Sequence, residues 1–414
     1  MTTKTLLRGG CVLTMGRSNY AEADVLIEGD TIAEVGPGLR ARDAELVDAT
    51  DTIVMPGFVD THRHVWRSLF RNLGDASADP GPQFGAEDVY AATLIGLLQA
   101  ADAGITTVAD WSDPYPDGRL AEAALEAHVD SGMRTVLAVP GIEAFGRLHQ
   151  SVGAGATTVA YGASPGGSAE DWALARRLGA RVHIHVGMAT DRAREVAALG
   201  DLLGSDATLI HCTHIDDDGM DAIAGAGAKV IFAPSTEMAN GIGSAPIQKV
   251  IDRKIRPGLG IGDERVGPGD MFAQMRATIS LQHATYFELK LAGKAGLPNL
   301  LTTREVIRFG TIDGANAIGM GDAIGSLAPG KKADLIVLRT DKPNVFPIND
   351  PIGAVVWGMD TSNVDWVFVA GQALKREGEL QGDAARAGEL ALAARERVVA
   401  AGDALASVAA GEAV

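Results

Sequence analysis

Val54 to His64 end an apolar strand on two imidazoles, His62 and His64, separated by one residue. Side chains alternate across a strand, so both rings project from the same face. Two neutral imidazoles on a rigid strand suit a borderline-soft divalent metal such as zinc or iron. The same spacing also occurs in ordinary surface or core histidines, so the pair needs support from elsewhere in the chain. That support is a clustering. His183 and His185 repeat the spacing, His211 and His214 follow, and Asp263 and Glu264 end a later apolar run. Six of the nine histidines fall in these three clusters. His128, in a helix-like stretch, reads as a packing residue, and His149 and His283 as structural or surface residues.

The elements that must position these groups alternate between two periodicities. Strand-like runs fall at 53–59, 105–110, 134–139, 157–162, 181–186, 207–211, 228–233 and 255–261. Helical patterns at 86–103, 118–131, 169–178, 216–226 and 269–292 are interleaved with them. Eight strands with intervening helices predict a (β/α)8 barrel, and the histidine and carboxylate clusters then sit at strand C-termini, where such barrels carry their chemistry. An open doubly wound sheet is disfavoured, because the early strands lack a glycine-rich phosphate turn. Short strands before residue 50 and again near 333–338 and 364–372 predict a small discontinuous β-sandwich built from both ends of the chain. The expected division is β-domain 1–55, barrel 56–324, β-domain 325–380 and a terminal helix 381–414.

Composition narrows the partners. A formal charge of −17 over 414 residues disfavours nucleic acid and anionic membrane as partners. No apolar run is long enough to span a bilayer, and the first residues lack a secretory h-region. Two cysteines, Cys11 and Cys212, exclude a disulfide framework and fit a reducing cytoplasm. The expected partners are a small-molecule substrate and further copies of the chain in a homo-oligomer.

The stretch Pro56-Gly57-Phe58-Val59-Asp60-Thr61 leading into His62 and His64 resembles the first barrel strand of the amidohydrolase superfamily. Within it the chain is similar to the branch of triazine chlorohydrolases and cytosine and guanine deaminases. The resemblance extends to Gly104-Ile105-Thr106-Thr107-Val108, to Ala233-Pro234-Ser235-Thr236-Glu237-Met238, and to the run from Ile324 to Ile336. It implies a metal held by His62, His64, His185 and Asp263, with His183 a weaker fifth-strand alternative. It also implies that His211 bonds the nucleophilic water or the substrate and that Asp263 accepts a proton. The function so implied is metal-dependent hydrolysis of a carbon–nitrogen bond in a small, cyclic, nitrogen-rich substrate. Past the strand ends, Trp66, Arg67, Glu237 and His214 are candidate substrate contacts. Cys212 reads as a packing residue.

Two positions depart from the branch. Met188 stands where the deaminases carry a glutamate, which suits displacement of an anionic leaving group, as in a chlorohydrolase, or a lyase, isomerase or binding protein without hydrolysis. The aspartate column of the eighth strand falls on Gly262, leaving Asp263, brought in by a bulge, or Glu264 as the acidic group, or none. No lysine lies between Lys4 and Lys229 to bridge two metals. One ion is therefore expected, zinc first and iron as the alternative.

Overall fold

The protein is described from a computed structural model over residues 3–401, apart from 17, 74–80, 113 and 154. Eight parallel strands follow one another around a barrel: Phe58–Arg63, Ile105–Trp111, Arg134–Pro140, Thr157–Ala163, Val182–Val186, Ala207–His211, Lys229–Phe232 and Gly258–Leu259. They are called the first to eighth barrel strands below. Each pairs in parallel with its neighbour. The seam between eighth and first strands is closed just beyond Leu259. There Gly262 N–H donates to His62 O and Gly262 O accepts from His64 N–H, both at 2.9 Å.

Helices Ala86–Asp102, Ala121–Asp130, Ile142–Ser151, Ala169–Arg177, Asp217–Ala226 and Met271–Leu291 cover the outside. Their starts follow local chemistry. Ser168, Asp216 and Asp270 accept backbone N–H groups three residues on, satisfying donors that the first helical turn cannot. Between the fifth and sixth strands only 3-10 turns occur, Thr190–Arg192 and Glu195–Leu202. Inside the barrel, Val59, Ala109, Val136, Ala160 and Ile231 meet Ala315, Ala317 and Ile318, which plug its lower end.

The chain ends form a nine-stranded sheet, ordered Glu379–Leu380, Gln372–Arg376, Val364–Val369, Leu335–Arg339, Thr52–Pro56, Lys4–Val12, Tyr20–Glu28 and Thr31–Gly36, with Glu45–Asp48 beside Lys4–Val12. Strand alternation divides its side chains cleanly. Val54, Leu335 and Val337 join a core internal to this sheet, whereas Ile53, Met55, Ile336 and Leu338 join the core that the sheet shares with the barrel.

The single strand expected at 53–59 is two strands. Thr52–Pro56 belongs to the terminal sheet and Phe58–Arg63 to the barrel. Gly57 makes the transfer possible, because a Cβ there would lie 2.1 Å from Thr106 Cγ2. The helix Ala384–Ala401 packs on Ala86–Asp102, burying Ala387, Ala394 and Val398 and pairing Arg397 Nη2 with Asp88 at 2.7 Å. Residues 402–414 of the expected terminal helix lie outside the described residues.

One buried ion pair fastens sheet to barrel. Arg134 on the third strand reaches Asp334 with Nε at 2.5 Å and Nη2 at 3.0 Å, and Asp334 Oδ1 also accepts Ala370 N–H. Asp334→Ala leaves a largely buried guanidinium without its carboxylate, which costs about 3–5 kcal/mol. Denaturant unfolding is expected to show that loss, and an unchanged midpoint would mean that the junction does not depend on the pair.

Candidate metal centre and active site

The first strand delivers His62 from inside the barrel, and His64 follows where the strand gives way to the 3-10 turn Val65–Phe70. Their rings lie 5.1 Å apart. The fifth strand brings His185, whose Nε2 stands 3.2 Å from His62 Nε2. One ligating nitrogen from each of His62, His64 and His185 falls within a group spanning 4.8 Å. Burial is the main cause that holds all three imidazoles well below the usual histidine pKa. Neighbouring imidazoles add to it, as does Arg67 for His64 and His185. Neutral imidazoles are what a metal needs, and His64 Nδ1 is buried with no partner among the described residues. The donor set therefore fits a divalent ion.

His183 sits inside the barrel two residues before His185, outside this group. Burial, then the charge of Arg181, pushes it down to about 3.

A cavity of about 340 Å³ opens over the imidazoles. Its walls include Arg67, Asp263, His211 and Met188, together with Trp111, Arg192, Asn240 and Ile242. Among the described residues that line it, Asp263 is the one acidic residue. Gly262, at φ +76°, keeps the strand pairing at the seam, and a Cβ there would come within 2.8 Å of Thr236 Oγ1. The acidic side chain thus enters at 263. Its Oδ2 accepts from Arg67 Nη1 at 2.8 Å and from Arg265 Nη2 at 2.7 Å. Burial alone would raise this carboxyl, but bonding to Arg265 and the charges of Arg67 and Arg265 outweigh it and hold the pKa low. Such a carboxylate is a weak proton acceptor.

Glu264, on the opposite face, points away from the imidazoles. It meets Arg63 Nη2 at 2.6 Å and also bonds Ser68 Oγ. Arg63, fully buried, donates to Gln99 Oε1 at 2.6 Å. Asp60, below the site, accepts Ile261 N–H and is raised to about 7 by burial against the opposing pull of Arg63.

Three expected substrate contacts lie elsewhere. Trp66 is 2% exposed and packs edge-on against Phe84, because it lies on the inner side of the 3-10 turn. Glu237 is wholly buried. Its Oε1 accepts Ala233 N–H at 2.9 Å and lies 3.0 Å from His211 Nδ1, so it stands behind His211 and off the cavity wall. His214 lies past the sixth strand, half-buried beside Gly243, and is also off the wall. Arg67 is on the wall. Cys212 is buried, with its thiol pushed up chiefly by burial.

The aromatic residue on the wall is Trp111, its ring 4.3 Å from that of His185. It ends the second barrel strand, so the rule that picked out the histidines at strand ends also pointed to it. Arg192 ends a 3-10 turn and Asn240 caps the short helix Pro234–Ala239, and neither carried such a signal.

The family model for the amidohydrolase family matches residues 53–374. The chain belongs to the amidohydrolase family. Among curated relatives, this amidohydrolase is 28% identical to a 5-methylthioadenosine/S-adenosylhomocysteine deaminase of Symbiobacterium thermophilum, covering 89% of this chain and 93% of the relative. It is 30% identical to an isoxanthopterin deaminase from an unknown prokaryotic organism, over 86% and 89% of the two chains. Its fold matches a zinc-bound adenosine deaminase from Xanthomonas campestris, with TM-score 0.84, 21% identity, and 96% and 98% coverage. It also matches a zinc complex of an atrazine chlorohydrolase from Arthrobacter aurescens, with TM-score 0.81, 22% identity, and 94% and 100% coverage. The protein is a hydrolase of carbon–nitrogen bonds other than peptide bonds.

Replacing Glu264 by Gln removes the charge that compensates buried Arg63. The expected result is a stability loss of about 3–5 kcal/mol, with bound metal retained by the folded fraction. Loss of metal without loss of stability would contradict this separation of roles.

Proposed function

We propose that this cavity is the active centre of a zinc-dependent aminohydrolase that releases ammonia from a planar, nitrogen-rich ring. The observation that carries it is the set of three imidazoles from the ends of two strands, His62 buried and His64 and His185 half-buried, meeting within 4.8 Å at the cavity. His62, His64 and His185 would hold one ion, with Asp263 as the acidic member of the set and zinc ahead of iron. When bound, the ion supplies Lewis acidity that lowers the pKa of water toward neutrality.

The chain's own residues supply the remaining functions. Trp111 offers a face on which a planar ring stacks. Asn240, whose Oδ1 is buried with no partner among the described residues, can bond a ring N–H, and Arg192 can bond an acceptor at the mouth. His211, on the cavity wall, can accept a hydrogen bond from water or substrate. In the net reaction a carbon–oxygen bond forms, the carbon–amine bond breaks, one water is consumed, and the nitrogen leaves as ammonia after gaining a proton. Asp263, held ionised by Arg67 and Arg265, supplies fixed negative charge at the imidazoles and little basicity. Methylthioadenosine, 5′-deoxyadenosine and isoxanthopterin, acted on by relatives, are the first compounds to test.

Met188 favours a second reading. It lies on the wall at the deaminases' glutamate position, and a thioether cannot carry a proton to a departing amine. A leaving group that departs as an anion, such as chloride, needs no such proton. The barrel, 56–324, is taken as the catalytic unit, with 1–55 and 325–380 supporting it. Two unpaired cysteines support a cytoplasmic setting, and a homodimer is the expected assembly. Among the described residues no helix is long and apolar enough to cross a membrane.

Purified protein should contain about one zinc per chain, and His64→Ala should lose metal and ammonia release together. Metal-free protein that still releases ammonia would overturn the proposal, and chloride release from a chlorinated triazine without ammonia release would favour the second reading. Asp263→Asn, which removes that fixed charge, should lower turnover on the order of a hundred- to a thousandfold. Near-normal turnover in that variant would remove Asp263 from the centre.

A further inference from the structure

His211 lacks a carboxylate on the cavity side, yet it has one behind it. Glu237 follows the seventh strand in the short helix Pro234–Ala239 and is fully buried. Its Oε1 already accepts Ala233 N–H, and its Oε2 is buried with no partner among the described residues. An oxygen accepting one N–H meets the nitrogen 3.0 Å away as a second acceptor, so the proton in that contact belongs to His211 Nδ1. With Nδ1 turned to Glu237, Nε2 is the ring nitrogen left to face the cavity.

The backbone points the same way. His211 and Cys212 have φ of +75° and +55°, a conformation unfavourable for non-glycine residues that persists where the surroundings enforce it. Cys212 N–H is tied to Val186 O at 3.0 Å. His211 is thus fixed at both its backbone and its ring. Its ring lies 5.5 Å from that of His62 and 5.4 Å from that of His185, and its nitrogens are outside the ligating group.

We propose that Glu237 is a positioning residue that locks His211 into the Nδ1–H tautomer and so presents a hydrogen-bond-accepting Nε2 to the substrate cavity. This rests on the cavity being the hydrolytic centre. It gives the site a directed acceptor besides Asn240 Oδ1, since the oxygens of Asp263 are occupied by two guanidinium groups. The attacking water or the substrate donates to Nε2, and the ring cannot turn to offer an N–H instead.

The test is ring-nitrogen NMR of the zinc-loaded full chain carrying 15N-histidine, with His211 assigned by its loss in His211→Asn. The native spectrum should show protonated Nδ1 and bare Nε2 for His211. Glu237→Gln can donate as well as accept, so it should mix the tautomers. It should also lower kcat by about a hundredfold, the upper range for a group supporting a site residue, with KM and zinc content little changed. Glu237→Asp, which keeps an acceptor-only oxygen, should recover part of the loss. A native spectrum with the proton on Nε2 overturns the proposal, as does a Glu237→Gln variant with an unaltered spectrum and kcat, or one that loses zinc. If no compound in the panel is turned over, the native spectrum still decides the tautomer, so failure of the substrate assignment is distinguishable from failure of this inference.

Discussion

The site depends on how the barrel closes. Its last strand is only two residues long, and closure rests on Gly262 bonding both flanks of Arg63. Outside this seam Arg63 and Glu264 form a buried pair at 2.6 Å; inside it stand His62, His64 and Asp263. Alternation makes these one event, since a slip of one residue would send every side chain to the other face. A guanidinium buried without its carboxylate is strongly unfavourable. The ion pair therefore penalises wrong registers and, by doing so, aims the imidazoles.

Around the site, each of two carboxylates has been given a separate partner. Asp263 is held by Arg67 and Arg265 and stays ionised, whereas Glu237 is held against His211. The environment, not the residue type, separates their behaviour. Such polar groups are oriented before any substrate arrives, which is where much catalytic stabilisation originates. Its cost is visible in the left-handed backbone at His211 and Cys212.

The barrel was legible because strand-length apolar runs and polar strand ends recur along the chain, and the clustered histidines carried their own signal. What could not be read from spacing was which way a side chain turns once its strand has ended. Trp66 and Arg67 are adjacent in a 3-10 turn, yet one is packed against Phe84 and the other reaches Asp263. Glu237 looked like a wall residue because it follows a strand end, but the helix begun by Pro234 turns it inward. Asn240 and Arg192 lie at the ends of short helical turns in connections whose paths depend on distant packing. The break at Gly57 was hidden within a continuous apolar run, since only the approach of Thr106 distinguishes one strand from two.

Thr52–Pro56 pairs in register with Leu335–Arg339, Met55 opposite Ile336. The earlier strand leaves the ribosome long before its partner exists. At about 5–20 residues per second, that interval is on the order of tens of seconds. Throughout it an apolar strand with one open edge must wait, while the barrel strands after it have already been made. The nascent chain is therefore most vulnerable to misassociation at the sheet that joins its ends, far from the metal centre. Variation in the terminal sheet should affect the yield of folded enzyme more than its chemistry.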